Sequence, residues 1–355
     1  MAPLGIAIVG SGIFVREQHL PAALATPLLT IKAIWSRSLS SAEQAAKLIP
    51  EGSQAAVDLY SSDSGPGKGY DDLLKRSDIV GVILALPIPD MPAYIEKALA
   101  AGKHVLGEKP IAPTIGKALE LVEYYKKVSA DAGGQAATWS VAENFRFIPA
   151  YDYAVEQIKT LGKMTAFHVK VCNLMEESNK YYGTAWRAKP EFQGGFILDG
   201  GVHFTAALRK LLGDENSVQS LSAYTAQVRS WLPPVDSVHA VLKAKSGVIG
   251  TYVQSAGSSA GSFQFQIVCE NGVVEAESRK CVVIRGHGAD AKREEKDFTP
   301  TFGVKEEVHA WGEALQTGKP NPAQSPEQAV ADLELIEKML NSGQQGGSSQ
   351  STEYQ

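Results

Sequence analysis

The sequence predicts an α/β protein in two domains. The first is a doubly wound parallel sheet over residues 1–140. The second, over 141–342, is α+β and carries a large, mostly antiparallel open sheet, followed by a disordered tail over 343–355. Three observations lead there. The chain has 355 residues, beyond the ~250–300 at which a single hydrophobic core stops growing. Up to residue 140, short runs apolar on both faces alternate with amphipathic stretches, the pattern of a parallel sheet covered by helices. From Met164 onward, strand follows strand with turn residues between them, the pattern of antiparallel hairpins.

In the first part, Gly5–Gly10, Ile31–Trp35, Ile79–Leu86, His104–Gly107 and Gln135–Val141 read as strands. Ser41–Leu48, Tyr94–Ala101 and Ile115–Ala132 carry helical spacing, and Ser61–Gly69 has no periodicity and reads as a loop. In the second part the strands are Met164–Cys172, Val218–Val228, Ser237–Lys245, Val248–Ser255, Phe263–Cys269, Gly272–Glu277 and Cys281–Arg285. Lys245-Ser246-Gly247 and Glu270-Asn271-Gly272 suit hairpin turns, because Gly and Asn tolerate positive φ. Val304–Leu315 and Pro326–Leu340 return to helical spacing, and the Gly/Ser/Gln-rich stretch after Asn341 lacks the apolar residues that order a chain.

A net charge of -5 weighs against a nucleic-acid binder, which carries a basic surplus or stripe. Cys172, Cys269 and Cys281 are odd in number and widely spaced, which fits neither a disulfide framework nor a zinc knuckle and points to a reducing compartment. No apolar run approaches the ~20 residues that span a bilayer, and Met1-Ala2-Pro3-Leu4 runs straight into the first strand. The expectation is a cytoplasmic protein without membrane or nucleic-acid partners. No spacing of His, Cys and carboxylates suggests a metal.

The first functional signal is Gly10-Ser11-Gly12-Ile13-Phe14-Val15, a G-x-G turn between the first strand and a helix. Backbone N–H groups and the helix dipole can meet a pyrophosphate there. Val15 departs from the usual third glycine or alanine, and a bare G-x-G also serves as an ordinary tight turn. The second strand adds a sharper signal. NAD sites of this type place Asp or Glu ~20 residues after the glycines, on the ribose 2′-hydroxyl. Here the strand ends Trp35-Ser36-Arg37-Ser38, with no acidic residue between Thr30 and Ser41. Arginine with serine hydroxyls would hold a 2′-phosphate by charge-assisted hydrogen bonds, so the cofactor expected is NADP rather than NAD.

Gly102-Lys103-His104-Val105-Leu106-Gly107-Glu108-Lys109-Pro110 resembles the G-K-H-V-x-x-E-K-P signature of the glucose–fructose oxidoreductase/inositol dehydrogenase (Gfo/Idh/MocA) superfamily. Trp186-Arg187 and Gly194-Gly195-Phe196-Ile197-Leu198-Asp199-Gly200-Gly201-Val202-His203 resemble its W-R…G-G-x-x-x-D-x-G-x-H element, in the same order and separation. The resemblance implies a Rossmann domain, an open-sheet second domain and a homodimer or homotetramer formed through that sheet. It implies Lys109, Asp199 and His203 as catalytic and substrate-binding residues. It places Gly10, Gly12, Ile13, Phe14, Ser36, Arg37, Leu86, Pro87, Glu108, Lys109, Trp186 and Arg187 around the cofactor. Two departures leave the substrate open. Leu86-Pro87-Ile88-Pro89-Asp90-Met91 lacks the family's histidine after the fourth strand, and His203-Phe204-Thr205-Ala206 lacks the aspartate of H-x-x-D.

The residues themselves suit the implied chemistry. Asp199 and His203 are four apart, on one face of a helix over Leu198–Leu212, where a carboxylate can orient an imidazole as general base. The surrounding glycines, Gly194, Gly195, Gly200 and Gly201, cost helix propensity and are explained if backbone passes close to a ligand. Lys109 follows a strand on the nucleotide-binding side, and the X–Pro bond at Pro110 is one that can be cis. Either Lys109 or His203 can take the hydroxyl proton while the other binds the oxygen. Asn144 and Arg146, in Glu143-Asn144-Phe145-Arg146-Phe147, are further substrate candidates or packing residues. His104 reads as structural, while His19, His287 and His309 show no partner in sequence. The function expected is hydride transfer between nicotinamide and a hydroxyl or carbonyl carbon of a sugar, polyol or vicinal diol. The alternatives are a carbonyl or diketone reductase and a non-catalytic dinucleotide-binding regulator of the same fold.

Overall fold

A computed structural model describes residues 2–52, 56–132, 136–190 and 192–355. The chain divides into two compact units: Met1–Glu143 with Val304–Ala329, and Asn144–Gly303 with Val330–Gln355.

The first unit holds six parallel strands, β1 (Leu4–Val9), β2 (Leu29–Ser36), β3 (Asp58–Ser61), β4 (Gly81–Leu84), β5 (His104–Glu108) and β6 (Trp139–Ala142). Their order is β3-β2-β1-β4-β5-β6, the Rossmann order with its switch point between β1 and β4. β1 and β4 lie in the middle and are buried on both faces, which is why they read as unbroken apolar runs. The edge strand β3 has four residues beginning with an exposed Asp58, and sequence reading passed over it. Gln135, where the last strand was expected to begin, lies outside the described residues; the observed strand is Trp139–Ala142.

Residues Val304–Ala329 correct the expected boundary, which gave everything after 141 to the second domain. Periodicity shows that a helix has an apolar face without showing what that face meets. Helix Val304–Thr317 buries Val304, Val308 and Trp311 in one cluster with Ile6, Ile34 and Leu106. The Trp311 ring lies 3.1 Å from where a Cβ on Gly81 would stand, so β4 needs glycine at that position.

The second unit is built on nine strands: β7 (Met164–Leu174), β8 (Val218–Ala226), β9 (Ser237–Ala244), β10 (Ile249–Ser255), β11 (Gly257–Cys269), β12 (Gly272–Ala276), β13 (Lys280–Arg285), β14 (Lys292–Asp297) and β15 (Gln350–Ser351). Their order is β14-β13-β12-β11-β7-β10-β9-β8-β15, antiparallel throughout except for β7 with β10. Both predicted hairpin turns are present, with Gly247 at φ +91 and Gly272 at φ +153. Helices Pro149–Ile158 and Gly195–Leu212 cover one face; Tyr151 meets Phe265 edge-on with ring centroids 5.6 Å apart. β14 is Lys-Arg-Glu-Glu-Lys-Asp, fully exposed and without apolar periodicity, so nothing in its sequence announced a strand.

The expected disordered tail is ordered. Helix Pro326–Gln344 continues past residue 340, and β15 pairs with β8. The cause is Glu334, fully buried, whose carboxylate accepts the backbone N–H groups of Glu353 (2.6 Å) and Tyr354 (3.0 Å) and the side-chain amide of Gln355 (2.9 Å). A buried carboxylate must be given donors, and the tail supplies them. Composition alone reports too few apolar residues and misses this polar anchoring. Among the described residues no helix is long and apolar enough to cross a membrane.

Cys172, Cys269 and Cys281 are free and buried. Burial pushes the Cys281 thiol up to about 11 from the ordinary 9.0. The unfolded chain releases that proton first, so the thiol's contribution to stability is complete below pH 9.0 and is lost as pH rises toward about 11. Urea unfolding should therefore weaken more between about pH 8 and about pH 10.5 in the wild type than in Cys281→Ala.

Candidate active site

In the first unit the turn after β1 is set by Gly10, at φ +116, where a Cβ would run into the carbonyl oxygen of Ala85. Its N–H donates to the Trp35 carbonyl at 2.9 Å. A Cβ on Gly12 would meet nothing within 4 Å, which leaves room for a phosphate against the backbone. The residues present therefore fit a dinucleotide at this turn. Ile13 and Phe14 open the helix, half-buried, and Val15 packs into the core in place of the third small residue. The next turn, Val15–His19, is π-helical. Leu86 and Pro87 follow β4 as half-buried loop residues, with Leu86 3.6 Å from the built Cβ of Gly10.

At the end of β2, Ser36 is buried and its hydroxyl pairs with Ser11 at 2.7 Å, a contact that joins the G-x-G turn to the second strand. Arg37 is exposed, and Ser38 caps the helix Leu39–Ala46 by accepting the Ser41 N–H. The local sequence holds no acidic residue, but the fold brings one. Asp63, in the loop after β3, accepts the Ser61 hydroxyl at 2.6 Å and the Leu39 N–H at 2.8 Å. Those two hydrogen bonds, that of Ser61 foremost, hold its carboxyl below the usual carboxylate range. Neither Ser11 nor Asp63 carries a signal in the chain; only strand order brings them to this edge.

At the end of β5, Glu108 accepts from His19 Nε2 at 2.6 Å and from the Lys109 N–H at 3.1 Å. His19 thus has a partner that its sequence context concealed, as does His309, which pairs with the Thr26 hydroxyl at 3.0 Å. Lys109 is half-buried, and the Lys109–Pro110 bond is cis. His104 has the structural role expected, its Nδ1 accepting the Thr138 N–H at 2.9 Å.

In the second unit Asp199 and His203 lie in the helix Gly195–Leu212, as predicted, with Asp199 buried and His203 half-buried. Asp199 accepts from Arg187 Nε at 2.8 Å. Arg187 stacks on Trp186 at 4.0 Å and on Tyr181 at 5.2 Å, so the W-R pair and the aspartate form one cluster. His203 stacks on Phe145, ring centroids 4.6 Å apart and 18° from parallel. Phe145, which lies in the Glu143–Phe147 segment but was not singled out as a site residue, thus reaches a predicted catalytic residue. Gly194 and Gly195 start the helix at positive φ, and a Cβ on Gly201 would press on Gln254 and Ile336; at Gly200 the space is open.

Asn144 and Arg146 have partners inside the second unit. The Asn144 side-chain amide donates to the Phe302 carbonyl, and Arg146 is buried in an ion pair with Asp332, itself 2% exposed. Asp332 also holds Arg209 at 2.7 Å. A buried guanidinium requires a carboxylate, and Arg146 finds it in Asp332.

The comparisons agree with this architecture. Residues 4–132 match the family model of the Gfo/Idh/MocA oxidoreductases' NAD-binding Rossmann fold, and residues 155–350 that of their C-terminal α/β domain. The chain belongs to this family of oxidoreductases and has an NAD(P)-binding Rossmann domain. It is 39% identical to Dehydrogenase FPY6 of Fusarium mangiferae, over 97% of this chain and 98% of that protein. An oxidoreductase of Thermotoga maritima of solved structure is 31% identical with a TM-score of 0.85, covering 98% of each chain. A 3-ketoreductase from Actinomadura kijaniata, solved with NADP and TDP-benzene, shares the fold at TM-score 0.78 and 20% identity, over 96% of this chain and 98% of that one.

Replacing Asp332 with Ala removes the carboxylate that Arg146 and Arg209 share. The variant should lose about 3–5 kcal/mol of unfolding free energy of the second unit in urea. A loss below about 1 kcal/mol would show that Arg146 does not depend on the pair.

Proposed function

We propose that this chain is an NADP-dependent dehydrogenase or reductase acting on a hydroxyl or carbonyl carbon of a sugar, polyol or vicinal diol. The observation that carries the reading is the position of Lys109. It follows the carboxyl end of β5, one strand from the switch point where open parallel sheets bind dinucleotides. The Arg187–Asp199 cluster and the Phe145–His203 stack support it from the second unit.

When bound, the nicotinamide accepts or supplies the hydride. Either Lys109 or His203 takes the proton of the reacting hydroxyl, and the Lys109 ammonium group can offset negative charge that develops on an oxygen. Asp199, tied to Arg187, keeps the helix carrying His203 in register with the Trp186–Arg187 segment. The choice of NADP rests on exposed Arg37 between Ser36 and Ser38. A cytoplasmic homodimer or homotetramer through the open sheet belongs to this reading. Tyr224, Val241 and Ile249 are exposed on one face of that sheet and offer an apolar surface to a second copy.

A nicotinamide absorbance assay with NADP and a panel of aldoses, inositols, vicinal diols and ketosugars tests the activity; silence across the panel with NADP bound would favour a regulator. Lys109→Ala should lower kcat by roughly 10²–10⁴-fold with little change in cofactor affinity. Arg37→Asp should raise the KM for NADP selectively, and an unchanged NADP/NAD ratio would overturn the cofactor assignment.

A further inference from the structure

We infer that His19 is a positioning residue for Lys109, acting through the carboxylate of Glu108; this rests on the reading of Lys109 above. A histidine 89 positions away joins two consecutive residues in one chain of hydrogen bonds. His19 Nε2 donates to Glu108 Oε1 at 2.6 Å, and Glu108 Oε2 accepts the backbone N–H of Lys109 at 3.1 Å. Each carboxylate oxygen therefore has a fixed donor. The one bond runs to the helix that follows the G-x-G turn, the other to the backbone of the lysine itself.

Two features argue that the histidine does more than fill space. It is 0% exposed, and its Nδ1 meets no polar partner among the described residues. A buried nitrogen without a partner costs free energy that an apolar side chain at the same place would not. A leucine would pack as well there but could not hold Glu108. The ring also sits at the end of the π-helical turn Val15–His19, where one added residue re-aims a side chain, a device frequent at functional sites. Phe14, in the first turn after Gly12, meets the ring edge-on with centroids 5.3 Å apart and planes at 78°. The imidazole is thus braced from the dinucleotide turn on one side and grips the end of β5 on the other.

The consequence is rigidity where Lys109 leaves the strand. With His19 in place, Glu108 cannot swing away, and the Lys109 N–H keeps its acceptor. Without it, the carboxylate loses one of its two anchors, and the backbone that presents the lysine is released.

The test uses His19→Leu, His19→Gln and Glu108→Gln in the full chain. Three readouts apply: exchange of the Lys109 amide hydrogen, NADP affinity by titration, and kcat against KM for a substrate from the panel. His19→Leu should speed Lys109 amide exchange about tenfold and lower kcat about 10–100-fold, as loss of an orienting partner does, with NADP affinity within about threefold of wild type. His19→Gln, which can still donate, should recover most of both effects. The His19→Leu/Glu108→Gln double variant should be no worse than the more damaged single variant, since both break the same chain.

Unchanged Lys109 exchange in His19→Leu would overturn the inference, as would additive losses in the double variant or failure of His19→Gln to recover in a folded protein. Should His19→Leu not fold, Glu108→Gln is read against the same exchange expectation. Amide exchange needs no substrate. An inactive wild type therefore counts against the dehydrogenase reading, while the amide decides the role of His19.

Discussion

The first unit depends on the close approach of two backbones. Gly10 lies so near the carbonyl oxygen of Ala85 that any β-carbon would collide with it, and its φ of +116 is one that L side chains rarely adopt. That approach ends β1 beside the end of β4 and sends the chain into a helix. The hydrogen bond from Gly10 N–H to Trp35 fixes the third strand end at the same level. Once these three ends are level, Ser11 reaches Ser36 and His19 reaches Glu108. The nucleotide edge is therefore a consequence of sheet geometry, with side chains added to a frame the backbone has already set.

The second unit uses a different principle. Its site helix begins at two glycines of positive φ and is held by charge: Asp199 with Arg187 near one end, Arg209 with Asp332 toward the other. Pairs of this kind, largely removed from water, contribute little net stability, but breaking them is costly, so they act as constraints on geometry. Arg146 shows the ambiguity that the same physics leaves in a sequence. An arginine beside aromatic residues at a domain junction is as fitting for a ligand as for a buried carboxylate, and only the fold reveals Asp332 opposite it.

What could be read in advance follows from the range of each signal. Burial on both faces in the first sheet and alternating burial in the second are written locally, so the central strands of both were legible, as was helix Ile115–Ala132 to the residue. The helix carrying Asp199 and His203 was placed correctly because its motif and spacing are local. Interactions between distant residues were not legible. His19 and Glu108 are 89 positions apart, Ser11 and Ser36 are 25, and Asp63 arrives from a neighbouring strand. The assignment of Val304–Ala329 to the first unit required knowing that Trp311 lies over Gly81. The tail failed for a related reason. Its order comes from polar donors answering Glu334, and composition rules count only apolar residues.

The charged strand β14 has a bearing on how this protein behaves in a crowded solution. A sheet of nine strands normally offers two rims of unpaired peptide groups, each able to recruit a stray chain and seed a fibre. Here one rim is a strand of nothing but lysine, arginine, glutamate and aspartate, and the other is a strand only two residues long. Neither gives an incoming strand enough uncharged length to zip onto. Growth by rim-to-rim addition is opposed most strongly at the charged rim, so the sheet can offer an apolar face to a second copy without that rim becoming a template for aggregation.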